Sequence, residues 1–236
     1  MEKILIVIPA YNEEANILKT YKTIINYCKR KKLKYDIVVI NDGSTDDTQL
    51  IIEKNKIPSI NLIHNLGIGG AVQTGYKYAY QNNYDIAVQF DGDGQHDVRY
   101  IENIVEPIRK NEANMVIGSR FVDKNIDGFK STKARRIGIN LISWLINITC
   151  KKKIYDTTSG FRACDRKCME EFIQNYPVEY PEPISTVEIL KKGYKVKEVP
   201  VKMGEREGGV SSIKTWKKAY YMINVFLSII IGTRRW

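Results

Sequence analysis

Residues 84–97 read YDIAVQFDGDGQHD. A run of strand-forming residues stops at Asp91, and from there to Asp97 the chain sets Asp91, Asp93 and Asp97 among Gly92, Gly94, Gln95 and His96. A solvated turn holds Asp and Gly for backbone reasons alone. A divalent cation also wants oxygen ligands at this spacing. The surrounding chain decides between the two.

Outward from this stretch the same arrangement recurs. KILIVI (3–8) leads into PAYNEE (9–14) and a helix from about Glu13 to Arg30. YDIVVI (35–40) leads through NDGSTDD (41–47) to a helix near 46–54. SINLIH (59–64) gives way to NLGIGG (65–70) and a helix through AVQTGYKYAYQ (71–81), and a helix near 98–110 precedes NMVIGSR (114–120). Strand-like runs separated by helices predict an α/β domain with a mostly parallel central sheet. Residues 119–136 are polar, rich in Lys and Arg, and read as a long loop. In such sheets ligands bind outside the carboxyl ends of the strands. PAYNEE, NDGSTDD, NLGIGG and DGDGQHD each follow a strand, so one crevice with a ligand accounts for all of them.

Asp91 and Asp93, either side of Gly92, can aim two carboxylates at one point, while Gly92 lets a ligand approach the backbone. Gln95 continues the alternation with an amide oxygen. Oxygen-only donors suit Mg²⁺ or Mn²⁺ rather than zinc or copper. Asp42 stands where it can hydrogen-bond a ribose hydroxyl or a base edge, or close an Asx-turn beside the capping residues Ser44, Thr45 and Asp46. Tyr11 can stack on a base or pack at the rim. Glu13 can contact the ligand or place negative charge at a helix start. NLGIGG lacks the Lys-Ser/Thr end of a P-loop, and its glycines read as close packing at a helix start. His96 reads as a supporting or rim residue rather than a proton-transfer group.

The chain has 236 residues, with 37 Lys and Arg against 27 Asp and Glu, a net charge of +10. That excess suits an anionic partner: nucleic acid, a membrane surface or a phosphorylated substrate. No zinc finger, aromatic nucleic-acid-binding stretch or recognition helix is evident, so nucleic acid is not expected. Cys28, Cys150, Cys164 and Cys168 form neither a disulfide framework nor a zinc site and read as reduced thiols. The amino terminus is not a signal peptide, and no run reaches the ~20 apolar residues needed to cross a bilayer. IGINLISWLINITC (137–150) and AYYMINVFLSIII (219–231) come partway and are flanked by cations. They read either as helices lying at a membrane interface or as core helices with basic ends.

Taken together, IVIPAYNEE, VVINDGSTDDT, NLGIGGAVQTG, QFDGDGQHD, VIGSRF and DTTSGFRA resemble the family 2 glycosyltransferases. The branch they resemble includes dolichyl-phosphate mannose synthase and bacterial polyprenyl-phosphate sugar synthases. The resemblance spans about residues 3–165, with an echo in GEREGGVSS (204–212). It implies a GT-A (Rossmann-like) domain over 1–212, with 213–236 a C-terminal amphipathic, membrane-interfacial helix. It also implies a nucleoside-diphosphate sugar donor and a bound Mn²⁺ or Mg²⁺.

Carried over, Pro9, Tyr11, Glu13, Asp42 and Gly92 hold the donor nucleotide, and Asp91, Asp93 and Gln95 hold the metal. Asp91, Asp93 and Arg120 form the catalytic set. Arg120, Arg135, Arg136, Arg206 and Ser211 meet the diphosphate or the lipid phosphate. The family's Arg…Gly-x-Ser-Lys pattern is altered here, with Ser212 and Ile213 before Lys214. Many relatives also end in transmembrane helices that this sequence lacks. The expected activity is inverting transfer of a sugar, from UDP-glucose or UDP-N-acetylglucosamine, to polyprenyl (undecaprenyl) phosphate for cell-surface glycans. The expected location is the inner face of the cell membrane, with room for a small membrane-protein partner and a homo-oligomer. A saccharide acceptor would instead call for a carboxylate base, Asp156 or Glu182, and a non-catalytic binding module is the remaining alternative.

Overall fold

The computed structural model describes residues 2–123, 133–204 and 224–230. Strand β1 (Ile4–Ala10) is buried at every position. Ile4, Ile6 and Ile8 enter one core and Leu5 and Val7 the other. A strand covered on both faces must be apolar throughout rather than alternating, and ILIVIPA is. On one side β1 pairs in parallel with β2 (Tyr35–Asn41), which pairs in turn with β3 (Ser59–Asn61). On its other side it pairs in parallel with β4 (Ile86–Gln89).

The sheet has seven strands in the order β3-β2-β1-β4-β6-β5-β7. Strand β6 (Arg162–Asp165) runs antiparallel between β4 and β5 (Met115–Ser119), and β7 (Val196–Pro200) is parallel to β5. Because β6 is reversed, its first residues lie at the same sheet edge as the last residues of β1, β2, β4 and β5. Helices α1 (Ile17–Lys31), α2 (Thr48–Lys54) and α4 (Ile101–Arg109) bury their apolar faces in the first core. Helices α3 (Gly67–Gln81), α5 (Lys133–Cys150), α6 (Arg166–Gln174) and α7 (Pro181–Lys191) cover the second.

The expected α/β architecture with a mostly parallel sheet is observed, and each strand and helix predicted between residues 3 and 120 is present. Of the expected helix over 213–236, residues 213–223 and 231–236 lie outside the described residues. Their limits differ in places. Residues 13–16 form a turn closed by Asn16 N–H and Ile17 N–H to Glu13 O, at 3.0 and 2.9 Å, so α1 starts at Ile17. The end of the expected 119–136 loop is already helical from Lys133. Strands β6 and β7 were not anticipated. All four cysteines are free thiols. Among the described residues no helix is long and apolar enough to cross a membrane. In the described part of the carboxyl-terminal stretch, helical residues 224–230, Val225 and Ile229 are buried in the second core.

Two glycines of NLGIGG, Gly69 and Gly70, serve the close packing expected of the motif, whereas Gly67 has open space around it and adopts a left-handed φ of +79°. A Cβ on Gly69 would stand 2.2 Å from the Pro177 carbonyl oxygen and 2.4 Å from that of Val178. Neither is a side chain that can swing away. Gly69→Ala is therefore expected to destabilise the fold by about 1–3 kcal/mol. A thermal melt checks this, and an unchanged Tm would show that the 177–178 segment yields freely.

Candidate active site

The loops after β1 and β2 are stitched together by side chains that both carry. Asn12 N–H donates to Ser44 Oγ (3.0 Å), and Thr45 N–H donates to Asn12 Oδ1 (2.8 Å). Glu13 N–H donates to Thr48 Oγ1 (2.8 Å), Glu14 N–H to Asp46 Oδ2 (3.2 Å), and Asp47 N–H to Glu14 Oε2 (3.0 Å). The hydroxyls and carboxylates of NDGSTDD thus do more than cap α2. They fix PAYNEE in place. Partial burial pushes the Asp46 carboxyl up, but hydrogen bonds from Thr48 and Glu14 outweigh it and hold the pKa below the ordinary range.

The residues expected to hold a nucleoside gather here. Tyr11 is 47% exposed at the rim. Glu13 is buried, and its Oε2 accepts from Asn16 Nδ2 at 3.0 Å. Asp42 is also buried, and its Oδ1 accepts from Leu66 N–H (2.7 Å) at the start of α3. Burial raises the Asp42 pKa, opposed by the Leu66 and Gly67 amides. Gly92 of the acidic loop lies against this pocket. A Cβ there would be 3.3 Å from the Pro9 carbonyl oxygen, and its own carbonyl accepts from Thr20 Oγ1 at 3.1 Å. Pro9, Glu13 and Gly92 are therefore neighbours, as a shared donor site requires.

The acidic loop is held by His96. Its Nδ1 accepts the Asp91 N–H at 3.0 Å, while its Nε2 lies 3.4 Å from Asp91 Oδ2. The ring stacks on Phe161 (centroids 4.7 Å apart) and meets Phe90 edge-on (5.3 Å). Burial lowers the His96 pKa despite the nearby carboxylates. A neutral ring donating from Nε2 fits both contacts, and it places His96 in the supporting role expected from sequence. Asp91 Oδ1 also accepts from Gln89 Nε2 (3.2 Å), and Asp93 Oδ1 accepts from Gln95 N–H (3.1 Å).

Among the described residues no group of three or more His, Cys, Asp or Glu forms a metal cage. The loop instead offers two carboxylates and one amide. That all-oxygen set fits Mg²⁺ or Mn²⁺, which fill their remaining positions with water and substrate phosphate.

Arg120 stands just after β5, at the sheet edge that also carries the acidic loop. Its Nε and Nη2 form a fork on Asp156 (2.7 and 2.8 Å), its N–H donates to the same carboxylate (3.0 Å), and Nη2 also reaches Thr158 Oγ1 (3.0 Å). The two side chains are 6% and 0% exposed. Asp156 is therefore closed to any acceptor, and it aims Arg120 instead of acting as a base. Arg136 lies with its guanidinium 3.8 Å from the Phe121 ring centroid, and that of Arg120 is 5.2 Å from the same ring. Nη1 of Arg136 is buried and makes no hydrogen bond. The side chain of Arg135, and Arg206 and Ser211, lie outside the described residues.

Sequence reasoning missed the layer beneath. Gly160 permits the close approach of Asp91, since a Cβ there would sit 2.7 Å from Asp91 Oδ2. Arg162, 1% exposed, donates from Nε to Ser159 O (2.8 Å) and from Nη1 to Ser185 Oγ (3.2 Å), while Nη2 has no partner. It lies across the strands from Gln89. Glu182, in the first turn of α7, has its pKa raised by burial and opposed by the charge of Arg162. Gly160 and Arg162 belong to the DTTSGFRA motif, but nothing in their spacing assigned them a task.

The sequence profile described as "Glycosyl transferase family 2" matches residues 5–173. The UDP-N-acetylglucosamine–dolichyl-phosphate N-acetylglucosaminyltransferase of Methanococcus voltae is 32% identical over 223 residues, covering 84% of this chain and 84% of that protein. The undecaprenyl-phosphate mannosyltransferase of Micrococcus luteus is 26% identical over 242 residues, covering 94% and 92%. In fold, the chain is similar to glucosyl-3-phosphoglycerate synthase of Mycobacterium tuberculosis, solved with Mn²⁺, UDP-glucose and phosphoglyceric acid. The TM-score is 0.70 at 18% identity, over 97% of this chain and 79% of that one.

Proposed function

The chain belongs to glycosyl transferase family 2, and from that premise we propose that it transfers a sugar from a nucleoside-diphosphate donor to a polyprenyl phosphate. UDP-glucose and UDP-N-acetylglucosamine are the favoured donors, undecaprenyl phosphate the favoured acceptor, and cell-surface glycan synthesis the purpose. The enzyme works at the inner face of the membrane. The observation that carries this reading is the pair of guanidiniums packed against the Phe121 ring, with the buried Nη1 of Arg136 unmet. A buried donor without a partner costs about 1–3 kcal/mol, and an acceptor phosphate oxygen would satisfy it.

Breaking the sugar–diphosphate bond develops positive charge at the anomeric carbon and negative charge on the leaving diphosphate. Asp91, Asp93 and Gln95 would hold a divalent ion, which supplies neutralisation of that leaving charge. Arg120, kept rigid by Asp156, adds a preorganised positive group and needs no reorganisation as charge moves. Glu13, Asp42 and Tyr11 fix the nucleoside, so binding energy remote from the reacting bond orients it. A phosphate monoester, with its second pKa at about 6, is already anionic near neutral pH. The acceptor therefore attacks without a protein base, which suits a site where Asp156 is committed to Arg120. Attack from the face opposite the leaving group inverts the anomeric centre.

The test is a panel of nucleotide sugars with a short-chain polyprenyl phosphate and Mn²⁺, scored for glycolipid and released nucleoside diphosphate. A glycolipid product is expected. Turnover with simple saccharides and none with the lipid phosphate would replace the acceptor.

A further inference from the structure

Helix α5 carries a face that water alone does not explain. Its 18 residues bury Ile139, Ile142, Leu145 and Ile146. The positions facing outward are Ile137, Asn140, Leu141, Trp144, Asn147 and Ile148. Ile137 is 69% exposed, Leu141 44%, Trp144 56% and Ile148 56%. The apolar members fall at i, i+4, i+7 and i+11, one continuous stripe roughly 16 Å long at the helical rise. No exposed position on this helix from Ile137 to Ile148 carries a charge, although charged residues make up 27% of the chain. The solvent side of a surface helix is ordinarily its charged side.

Charge is instead concentrated at the two ends and is of one sign. The sequence from Lys133 to Lys153 contains Lys133, Arg135, Arg136, Lys151, Lys152 and Lys153 and no Asp or Glu. Lys151, Lys152 and Lys153 are exposed, and Lys153 Nζ lies 4.7 Å from the centroid of the Tyr155 ring, which is itself 38% exposed. An uncharged apolar stripe with a tryptophan at its middle and cations at both ends complements one kind of surface. That surface is an anionic lipid bilayer, with the stripe at acyl depth and the cations among the headgroups.

We propose that α5 lies in the plane of an anionic membrane, immersing the Ile137–Leu141–Trp144–Ile148 stripe. Arg136 precedes the stripe by one residue and shares the Phe121 ring with Arg120, so the same docking sets this pair of cations near headgroup level. A lipid phosphate then reaches the site sideways, its tail staying in the bilayer along α5. The docking stands by itself, whereas this delivery of a lipid phosphate rests on the acceptor proposed above. In the described carboxyl-terminal residues 224–230, Val225 and Ile229 turn inward.

Flotation of the full chain with vesicles tests it, using phosphatidylcholine alone and an equal mixture with phosphatidylglycerol. The wild type is expected to float with the anionic vesicles, and to do so more weakly at high salt. The double substitution Leu141→Gln with Trp144→Gln should lower the partition coefficient about tenfold or more, given the apolar area withdrawn from lipid. Ile63→Gln, which alters a residue 90% exposed after β3, should leave it unchanged. Circular dichroism of the double variant should match wild type, since both side chains point away from the core. Turnover on a water-soluble short-chain acceptor should likewise be retained. No flotation of wild type on anionic vesicles, or equal flotation of wild type and double variant, overturns the docking. So does a lipid-free dimer that the double variant abolishes, since the stripe would then belong to a second copy. Flotation as expected with no turnover on any lipid phosphate would sink the acceptor reading alone.

Discussion

Asp91→Asn is expected to lower turnover on the order of 10³-fold, the scale of removing one preorganised charge-stabilising group, while the protein melts within a degree or two of wild type. Asparagine keeps the shape of the side chain, and its amide oxygen can still accept from Gln89. The backbone amide at position 91 still reaches His96 Nδ1. What disappears is a formal charge at the end of β4, where the neutral imidazole, the Gln89 amide and Gly160 together fix the carboxylate. Steady-state release of nucleoside diphosphate, paired with a thermal melt, separates the two effects. A variant that kept wild-type turnover would mean the acidic loop is an ordinary turn.

Asp156→Ala should instead damage the fold and the chemistry together. The side chains of Asp156 and Arg120 are almost wholly out of water, and deleting one member of a buried pair leaves the other charge uncompensated at a cost of about 3–5 kcal/mol. For a chain of this size that lowers Tm by roughly 6–20 °C. Arg120 would also lose the fork that aims it, so kcat should fall even at temperatures where the variant is folded. Asp156→Asn should fall between wild type and alanine in both measurements, because it retains a hydrogen-bond acceptor. A catalytic base with no structural duty would show the reverse: loss of kcat and no loss of Tm.

Some of this was legible before any coordinates. The parallel strands β1 and β2 and the core of β4 are covered on both faces, so each reads as an unbroken apolar run. The polar residues that follow them read as one sheet edge. Strand β6 hid because it is short and has the charged Arg162 at its start, with the neighbouring glycine serving Asp91 rather than the strand. Strand β7 hid because VKEVP is only partly buried at the outside of the sheet.

The site shows the same division. Asp91, Asp93, Gln95, Glu13 and Asp42 announce themselves by standing at strand ends, and the structure brings their loops together. The Arg120–Asp156 fork and the Glu198 carboxylate that accepts from the Asp156 N–H at 2.8 Å join residues far apart in the chain. Nothing in local spacing pairs them. For the same reason Asp156 looked from sequence like a free carboxylate and a candidate base, until its partner came into view.

The central claim is that the loop after β4 grips a diphosphate through a divalent cation. Calorimetric titration of UDP and GDP into the protein, with Mn²⁺ and with chelator, tests it most directly, repeated on Asp91→Asn and Asp93→Asn. The account predicts that at least one nucleotide binds tightly only when Mn²⁺ is present, and that either substitution abolishes the cation's contribution. Binding that is equally tight in chelator, or equally Mn²⁺-dependent in both variants, would contradict it.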